Sequence, residues 1–275
     1  MIRLLASDID GTLLPIGGRM SERTKHALKR LCDSGVVLVP ATGRCYFNAT
    51  GPFREMGIDC PVISCNGGRV DMHCTCESPV FEDTIDRESS EKVLRLLLDA
   101  GCFMTSYVGT KVYALPEING YGSKCMGISE AGSPDKDEYE ALKRTMVEEG
   151  SVNPYKYEAY SDDSRLLCEL KRELTAMGLS VSGAFKFNLE IMAHGAGKGR
   201  ALKTLAEKLG ISKSEIMALG DGSNDISLLE AAGLPVAMEN ASESLKPKAK
   251  RIAPDASLDG AAQMIETYVL AEISK

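Results

Sequence analysis

Short apolar runs recur along the chain, and four of them are followed directly by polar residues or glycines. Each run is nearly all apolar and rich in β-branched residues or leucine, which is typical of strands buried on both faces of a parallel sheet. The four runs are Ile2–Ala6, Val36–Val39, Val62-Ile63 and Ile216–Leu219. They predict the strands of one buried sheet.

Helical patterns lie between these runs. Ser21 is placed to cap a helix that passes through Leu28 and Leu31 and stops at Gly35. A second helix is predicted from Lys198 to Gly210, and a third from about Asn224 to Gly233. Alternation of strands and helices predicts an α/β fold with a doubly wound, Rossmann-like parallel sheet.

The middle of the chain has a different pattern, which suits a separate α+β domain. Helical stretches are predicted at Ser89–Ala100, Asp137–Glu149 and Ser164–Met177, and strands at Phe103–Val108, Lys111–Leu115, Leu179–Ser182 and Lys186–Ile191. Because the flanking strands must share one sheet, this domain is read as an insertion. We predict a core of residues 1–84 and 190–275, an inserted domain of residues 85–189, and hinges near 81–86 and 191–196.

Composition narrows the class of protein. The 275-residue chain has a formal net charge of −7, which disfavours nucleic acid as a partner. No apolar run approaches the ~20 residues of a membrane span. A carboxylate, Asp8, interrupts the first apolar run too early for a signal peptide. We therefore expect a cytoplasmic protein without a membrane partner. The nine cysteines and three histidines do not group at zinc-ligand spacing, so reduced thiols are expected.

Two carboxylates follow the first predicted strand, in Asp8-Ile9-Asp10-Gly11-Thr12. Ligands of doubly wound sheets bind beyond the carboxyl ends of the strands. At such a place one carboxylate can act as a nucleophile while the other moves a proton. Taken alone, the pair also suits a solvated loop, although not an EF-hand, which needs further ligands and a closing Glu.

Three further fragments follow the other strands or open a helix. In Gly220–Asp225, Asp221 could hold a hard cation such as Mg²⁺ together with Asp8, while Asn224 or Asp225 could cap the next helix. Thr42-Gly43 offers a hydroxyl and a backbone N–H to phosphoryl oxygens, or forms a plain turn. Lys198 follows a glycine-rich stretch that does not match a Walker A motif, so it is either a charged-site lysine or a surface lysine.

In their order and setting these fragments resemble the four motifs of the haloacid dehalogenase-like hydrolases. The matches are Asp8-x-Asp10-Gly11-Thr12, Thr42-Gly43, Lys198 and Gly220-Asp221-x-x-Asn224-Asp225. The resemblance covers the whole chain. Asn66-Gly67-Gly68 and Leu189–Met192 are similar to the segments that flank the large α+β cap of the Cof-type branch. Ala193-His194-Gly195 departs from that branch, which often has proline there, so hinge stiffness and the role of His194 stay open.

The resemblance implies a Mg²⁺-dependent phosphatase that hydrolyses small phosphorylated metabolites, sugar phosphates or phosphorylated cofactors, through an aspartyl phosphate on Asp8. It makes Asp10 the general acid and base, and gives the metal Asp8, the Asp10 carbonyl and Asp221 as ligands. Phosphate contacts would come from Thr42, Gly43, Lys198 and Asn224. Asp225 would order the outer shell of the metal, and Arg44 would lie at the substrate rim.

The resemblance also makes the inserted domain a cap that sets specificity. Candidate residues there are Tyr107, Tyr113, Tyr121, Lys124 and Lys186. Three other interpretations stay open: a phosphomutase, a receiver-type signalling domain, and a binding protein without catalysis. The sequence does not choose a substrate, a pathway or an oligomeric state.

Overall fold

The computed structural model describes residues 1–109, 111–114, 153–183 and 187–271. The chain divides into two compact units, one of Met1–Glu82 with Gly197–Lys275 and the other of Asp83–Ala196. Residues 190–196, which the sequence prediction assigned to the core, lie in the second unit. The reason is that the strand Asn188–Met192 pairs with strands of that unit.

The helices and strands of the described residues are numbered in chain order. The strands are β1 (Leu4–Ser7), β2 (Val37–Pro40), β3 (Val62–Ser64), β4 (Arg69–Asp71), β5 (Pro79–Glu82), β6 (Phe103–Val108), β7 (Lys111–Ala114), β8 (Lys156–Tyr160), β9 (Ser180–Ser182), β10 (Asn188–Met192), β11 (Ile216–Gly220), β12 (Leu234–Met238) and β13 (Arg251–Ala253). The helices are α1 (Glu22–Asp33), α2 (Tyr46–Glu55), α3 (Arg87–Asp99), α4 (Ser164–Ala176), α5 (Lys198–Leu209), α6 (Ile226–Glu230) and α7 (Gly260–Ile265), the last continued by a π-helical turn, Glu266–Leu270.

The first unit is built on a five-stranded parallel sheet in the order β13-β12-β11-β1-β2. Strand β1, which lies between β11 and β2, is apolar and fully buried at Leu4, Leu5 and Ala6, as expected for a strand covered on both faces. Ser7 stands in register with Pro40 of β2 and Leu219 of β11. The carboxyl ends of these three strands therefore lie at one edge, and the predicted doubly wound α/β fold is confirmed.

Local sequence signals explain where the helices of this unit begin and end. Ser21 caps α1 by accepting a hydrogen bond from the amide of Thr24 at 3.0 Å. Helix α5 begins at Lys198 and ends before Gly210, which has the left-handed φ of 64° common after a helix. Neither helix end needed tertiary information to be predicted.

Two predictions for this unit were wrong. The run Val62-Ile63 is not a strand of the five-stranded sheet: β3 pairs antiparallel with β4 in a separate sheet, β3-β4-β5. It meets the chain just after β2 through one parallel bridge, Ala41 to Ile63. The helix predicted from Asn224 to Gly233 is also shorter. A 3₁₀ turn, Ser223–Asp225, precedes α6, because the side chain of Asp225 bonds the loop amides before it.

The described residues of the second unit form an antiparallel sheet, in the order β7-β6-β8-β10-β9, and the helices α3 and α4. Its apolar cluster joins Val93 and Leu97 of α3 to Leu170 of α4 and to Ile191 of β10. Strand β8 was not predicted. The predicted helix Asp137–Glu149 lies outside the described residues.

None of the helices in the described part of the chain combines the length and the apolar character that a bilayer span requires.

Candidate active site

Every predicted site residue lies in the first unit, at the carboxyl edge of its parallel sheet or at the start of α5. Asp8 and Asp10 follow β1, the segment Thr42–Arg44 follows β2, and Lys198 opens α5. Asp221, Asn224 and Asp225 follow β11. Since β2, β1 and β11 are neighbours in parallel register, the fold brings loops from distant parts of the sequence to one edge.

A buried lysine joins two of the carboxylates. Lys198 is 0% exposed, and its Nζ donates to Oδ1 of Asp8 and to Oδ1 of Asp225, each at 2.6 Å. Carboxylate oxygens of Asp8, Asp221 and Asp225 lie within 4.8 Å of one another. The interpretation of Lys198 as a surface lysine is therefore wrong, since a fully buried ammonium needs such partners.

Asp225 fixes the loop that carries Asp221. Its Oδ2 accepts hydrogen bonds from the amides of Asp221 and Gly222, each at 3.0 Å. Because its Oδ1 is taken by Lys198, both oxygens of Asp225 are already bonded. Asp225 therefore holds the lysine and the loop in place.

The first loop is shaped to receive Asp221. Thr12 donates its hydroxyl to Oδ1 of Asp221 at 3.0 Å. Gly11 has a φ of 80°, and a Cβ placed there would lie 2.3 Å from Oδ2 of Asp221. This position needs glycine both for its backbone conformation and for the close approach of the carboxylate. Asn240 supports the turn by donating to the Gly11 carbonyl at 2.8 Å.

The cluster carries an excess of negative charge. Burial raises the pKa of Asp8 well above its usual range; Lys198 opposes this shift, and Asp225 and Asp221 add to it. Burial, followed by the charge of Asp225, raises the pKa of Asp221 to about 6. Burial works against the ammonium of Lys198, yet its two aspartate partners raise its pKa. Three carboxylates facing one ammonium make a site that favours an added cation.

The donor set suits Mg²⁺. Among the described residues, Oδ2 of Asp8, Oδ2 of Asp221 and the main-chain oxygen of Asp10 accept no hydrogen bond. These are hard oxygen ligands, as magnesium prefers, and they come from the three residues predicted to hold it. One ammonium against three carboxylates leaves a deficit of two charges, which a divalent cation would balance.

Arg44, which was predicted to lie at the substrate rim, contacts Asp10 directly. Its Nε donates to Oδ2 of Asp10 at 2.7 Å and its Nη2 to Oδ1 at 2.5 Å. Such a two-point pair fixes the direction of a carboxylate as well as its position. Arg44 also donates from Nη1 to the carbonyl of Asn48 at 3.2 Å, which holds the guanidinium in place.

A further group of contacts joins Thr42, Asn66 and Asn224. Nδ2 of Asn224 donates to Oδ1 of Asn66 at 3.1 Å, and the amide of Asn66 donates to the Thr42 carbonyl at 2.9 Å. Thr42 is 2% exposed, and its Oγ1 accepts from the Arg44 amide at 3.2 Å, so its own hydroxyl proton is left to donate. The N–H of Gly43 donates to none of the described residues. These groups can bind an anion.

Sequence reasoning gave no site role to Thr12, Asn66 or Asn240. Thr12 and Asn66 stand within or beside recognised motifs, and an asparagine before two glycines was a usable signal for an unusual backbone. Asn240 lies 229 positions from its partner Gly11, and no local pattern marks it.

Comparison with known proteins places the chain in a family. Residues 5–265 match the family model described as haloacid dehalogenase-like hydrolase. The chain is 28% identical over 284 residues to the 5-amino-6-(5-phospho-D-ribitylamino)uracil phosphatase YwtE of Bacillus subtilis, covering 96% of this chain and 97% of that protein. It is 27% identical over 275 residues to the pyridoxal phosphate phosphatase YbhA of Escherichia coli, covering 98% and 99%.

A solved structure supports the same family assignment. A haloacid dehalogenase-like hydrolase from Bacillus subtilis superposes with a TM-score of 0.81 at 26% identity, covering 98% of this chain and 100% of that one. The family match excludes the receiver-type signalling domain. The chain therefore belongs to the haloacid dehalogenase-like hydrolases, and within them it is a phosphatase, a hydrolase of phosphoric monoesters.

Proposed function

We propose that this phosphatase depends on Mg²⁺ and hydrolyses phosphate esters of small metabolites through an aspartyl phosphate on Asp8. The observation that carries the proposal is the buried cluster in which one lysine faces three carboxylates, together with three oxygens that accept no hydrogen bond from any described residue. Such a site is suited to bind a cation and an anionic phosphate.

In the first half of the proposed reaction, the Asp8 carboxylate attacks phosphorus in line with the leaving oxygen. The bond from phosphorus to the leaving oxygen breaks, and that oxygen takes a proton from Asp10. Lys198 holds the attacking carboxylate in one orientation through its 2.6 Å bond to Oδ1. This positioning removes part of the entropic cost of the attack.

In the second half, Asp10 takes a proton from a water molecule, and the water oxygen attacks phosphorus of the aspartyl phosphate. The bond between Asp8 and phosphorus breaks, which releases inorganic phosphate and restores the carboxylate. Both oxygens of Asp10 are bonded to Arg44 in the structure. Each of these oxygens keeps a second lone pair that can take a proton, so Arg44 orients the carboxylate that exchanges it.

Charge on the transferring group is stabilised by donors from three loops: the Thr42 hydroxyl, the Gly43 amide, Lys198 and the Asn224 amide. Asp8, Asp221 and the Asp10 carbonyl would hold Mg²⁺, which supplies positive charge that lets an anionic phosphate approach a carboxylate. Asp225 bonds no substrate in this scheme and acts by holding Lys198 and the Asp221 loop.

The substrate is proposed only as a class. The names of relatives include phosphatases of a ribitylaminouracil phosphate and of pyridoxal phosphate, both small molecules. We infer that the second unit is the cap that selects among such esters. Of the candidate specificity residues, Tyr107 bonds Glu158 within the second unit; the side chain of Tyr113 and residues Tyr121, Lys124 and Lys186 lie outside what the structure describes.

The test is phosphate release from sugar phosphates, nucleotides and phosphorylated cofactors, with Mg²⁺ and with EDTA. We expect magnesium-dependent release from some of these esters and none from Asp8→Asn. Asp33→Asn, an exposed residue at the end of α1, is the matched control and should keep full activity. Equal release by Asp8→Asn would refute the covalent mechanism. Transfer to a sugar phosphate without free phosphate would instead favour a phosphomutase.

A further inference from the structure

Residues Cys65 to Gly67 have an unusual backbone. Of the described residues other than glycine, three have a positive φ, and two of them are neighbours: Cys65 at 50° and Asn66 at 55°. Gly67 follows at 97°. Asparagine accepts this left-handed region at lower cost than most residues, but cysteine does not, so the segment stores strain of about 1 kcal/mol or more.

The second and third motifs hold the backbone of this strained segment. The amide of Cys65 donates to the Arg44 carbonyl and that of Asn66 to the Thr42 carbonyl, each at 2.9 Å. On the other side, a Cβ at Gly67 would lie 2.4 Å from the Gly197 carbonyl oxygen and 2.9 Å from the amide nitrogen of Lys198. The segment is therefore packed between the loop after β2 and the first turn of α5.

The side chain of Asn66 contacts the fourth motif. It is 1% exposed, and its Oδ1 accepts the 3.1 Å hydrogen bond from Nδ2 of Asn224. Its own Nδ2 is buried and has no hydrogen-bond partner among the described residues. Leaving a buried donor unbonded costs about 1–3 kcal/mol, and native proteins keep few such groups.

We propose that Asn66 is a positioning residue for phosphate: its carboxamide orients the Asn224 amide, and its unbonded Nδ2 adds a donor dipole beside the Thr42 and Asn224 anion site. The inference rests on the proposed function, because it gives Asn224 a phosphate to bind. The strained backbone places the carboxamide of this one residue within reach of the second and fourth motifs at the same time.

Three substitutions separate the parts of this role. Asn66→Gly removes the carboxamide while keeping a residue that tolerates a φ of 55°. Asn66→Asp keeps an acceptor for Asn224 but replaces the buried donor by an anionic oxygen. Asp259→Gly is the matched control, since Asp259 is the third non-glycine residue with positive φ, at 59°, and lies at the start of α7.

The experiment is calorimetric titration of inorganic phosphate into each Mg²⁺-loaded protein. We expect Asn66→Gly to weaken phosphate binding about tenfold, close to 1.4 kcal/mol. Asn66→Asp should weaken it more, because a negative charge replaces a donor beside an anion. Asp259→Gly should bind phosphate as the wild type does. Mg²⁺ affinity should stay unchanged in all three, because none of these side chains touches the carboxylate cluster.

A double-variant cycle with Asn224→Ala tests whether Asn66 acts through Asn224. If it does, Asn66→Gly costs less phosphate affinity in the Asn224→Ala background than in the wild type. Equal losses in both backgrounds, or wild-type affinity in Asn66→Gly, would overturn the proposal. The titration does not depend on turnover. A wild type that binds phosphate but releases none from any ester would refute the proposed function while leaving the Asn66 result readable.

Discussion

Among the described residues, each unit of this protein has a lysine buried between two carboxylates, and the two clusters differ in what surrounds the carboxylates. In the first unit Lys198 bonds Asp8 and Asp225, and Asp221 lies close by. In the second unit Lys156, also 0% exposed, bonds Glu158 at 2.6 Å and Glu190 at 3.1 Å. The sequence pattern singled out Lys198, which follows a glycine-rich stretch, but not Lys156.

Hydroxyl groups complete the second cluster. Glu158 accepts from Tyr160 at 2.6 Å, Tyr107 at 2.9 Å and Thr105 at 3.3 Å, and Lys156 lies 4.3 Å from the ring centre of Tyr107. Burial alone would raise the pKa of Glu158, but Lys156 and the hydroxyls of Tyr160 and Tyr107 together lower it. This ionic cluster is satisfied by its own unit.

The first cluster has fewer donors, and there burial prevails. Among the described residues, the Asp8 carboxylate accepts only from the Lys198 ammonium, and the Asp221 carboxylate accepts only from the Thr12 hydroxyl. The pKa of Asp8 rises well above its usual range, and that of Asp221 rises to about 6. A buried lysine does not by itself mark a reactive site. Carboxylates that have few donors and little positive charge around them do mark one, because binding of a cation, or of a phosphoryl group with its metal, stabilises them.

The largest expected difference between the two clusters is in turnover. Asp10→Asn should lower the rate of phosphate release about 10²–10⁴-fold, because it removes the proton donor and acceptor while an amide can still bond Arg44. Glu158→Gln should keep a rate within a few-fold of wild type wherever it is folded. Initial rates, with folding checked by circular dichroism, test both. A rate of Asp10→Asn near that of the wild type would remove Asp10 as the acid and base.

Stability without metal should change in opposite directions. Glu158→Gln should lower the free energy of unfolding by about 3 kcal/mol, because it breaks a buried ion pair. Asp221→Asn should instead raise it by about 1 kcal/mol, because an amide removes a charge that burial and Asp225 disfavour. Urea unfolding in EDTA measures both values. Destabilisation of the same size in both variants would mean that the two clusters are equally satisfied.

Added Mg²⁺ should stabilise one cluster only. At a concentration 100 times its Kd, the cation should raise the free energy of unfolding of the wild type by about 2.7 kcal/mol. Glu158→Gln should show the same increment, whereas Asp221→Asn should show little, because it has lost a charged ligand. Urea unfolding with and without Mg²⁺ provides the comparison. An unchanged increment in Asp221→Asn would exclude Asp221 as a ligand.

The smallest effect concerns pH. Because the pKa of Asp221 is raised in the folded state, the folded protein holds its proton more tightly than the unfolded chain does. Between pH 7.5 and about 5, the metal-free protein should therefore become more stable as pH falls. Over the same range Mg²⁺ should bind more weakly, about tenfold per unit below pH 6, because the ligand must be deprotonated. Thermal unfolding at several pH values, with and without Mg²⁺, tests both trends, and Asp221→Asn should flatten them.

Much of the fold followed from local pattern. The apolar runs predicted β1, β2 and β11, and the boundaries of α1 and α5 followed from Ser21 and Gly210. The pattern failed at β3 because a short buried run looks the same in a parallel and an antiparallel sheet. At α6 the pattern missed the 3₁₀ turn Ser223–Asp225, in which the side chain of Asp225 bonds the amides of the loop before the turn.

The sequence by itself determined which chemical groups stand at the strand ends, because chain spacing places a loop directly after each buried run. It could not determine which groups meet. Arg44 pairs with Asp10 across 34 positions, Asn66 with Asn224 across 158, and Thr12 with Asp221 across 209. Only the tertiary structure decided these pairs, because the direction of a side chain and the donors around a buried carboxylate depend on packing between loops that the sequence keeps far apart.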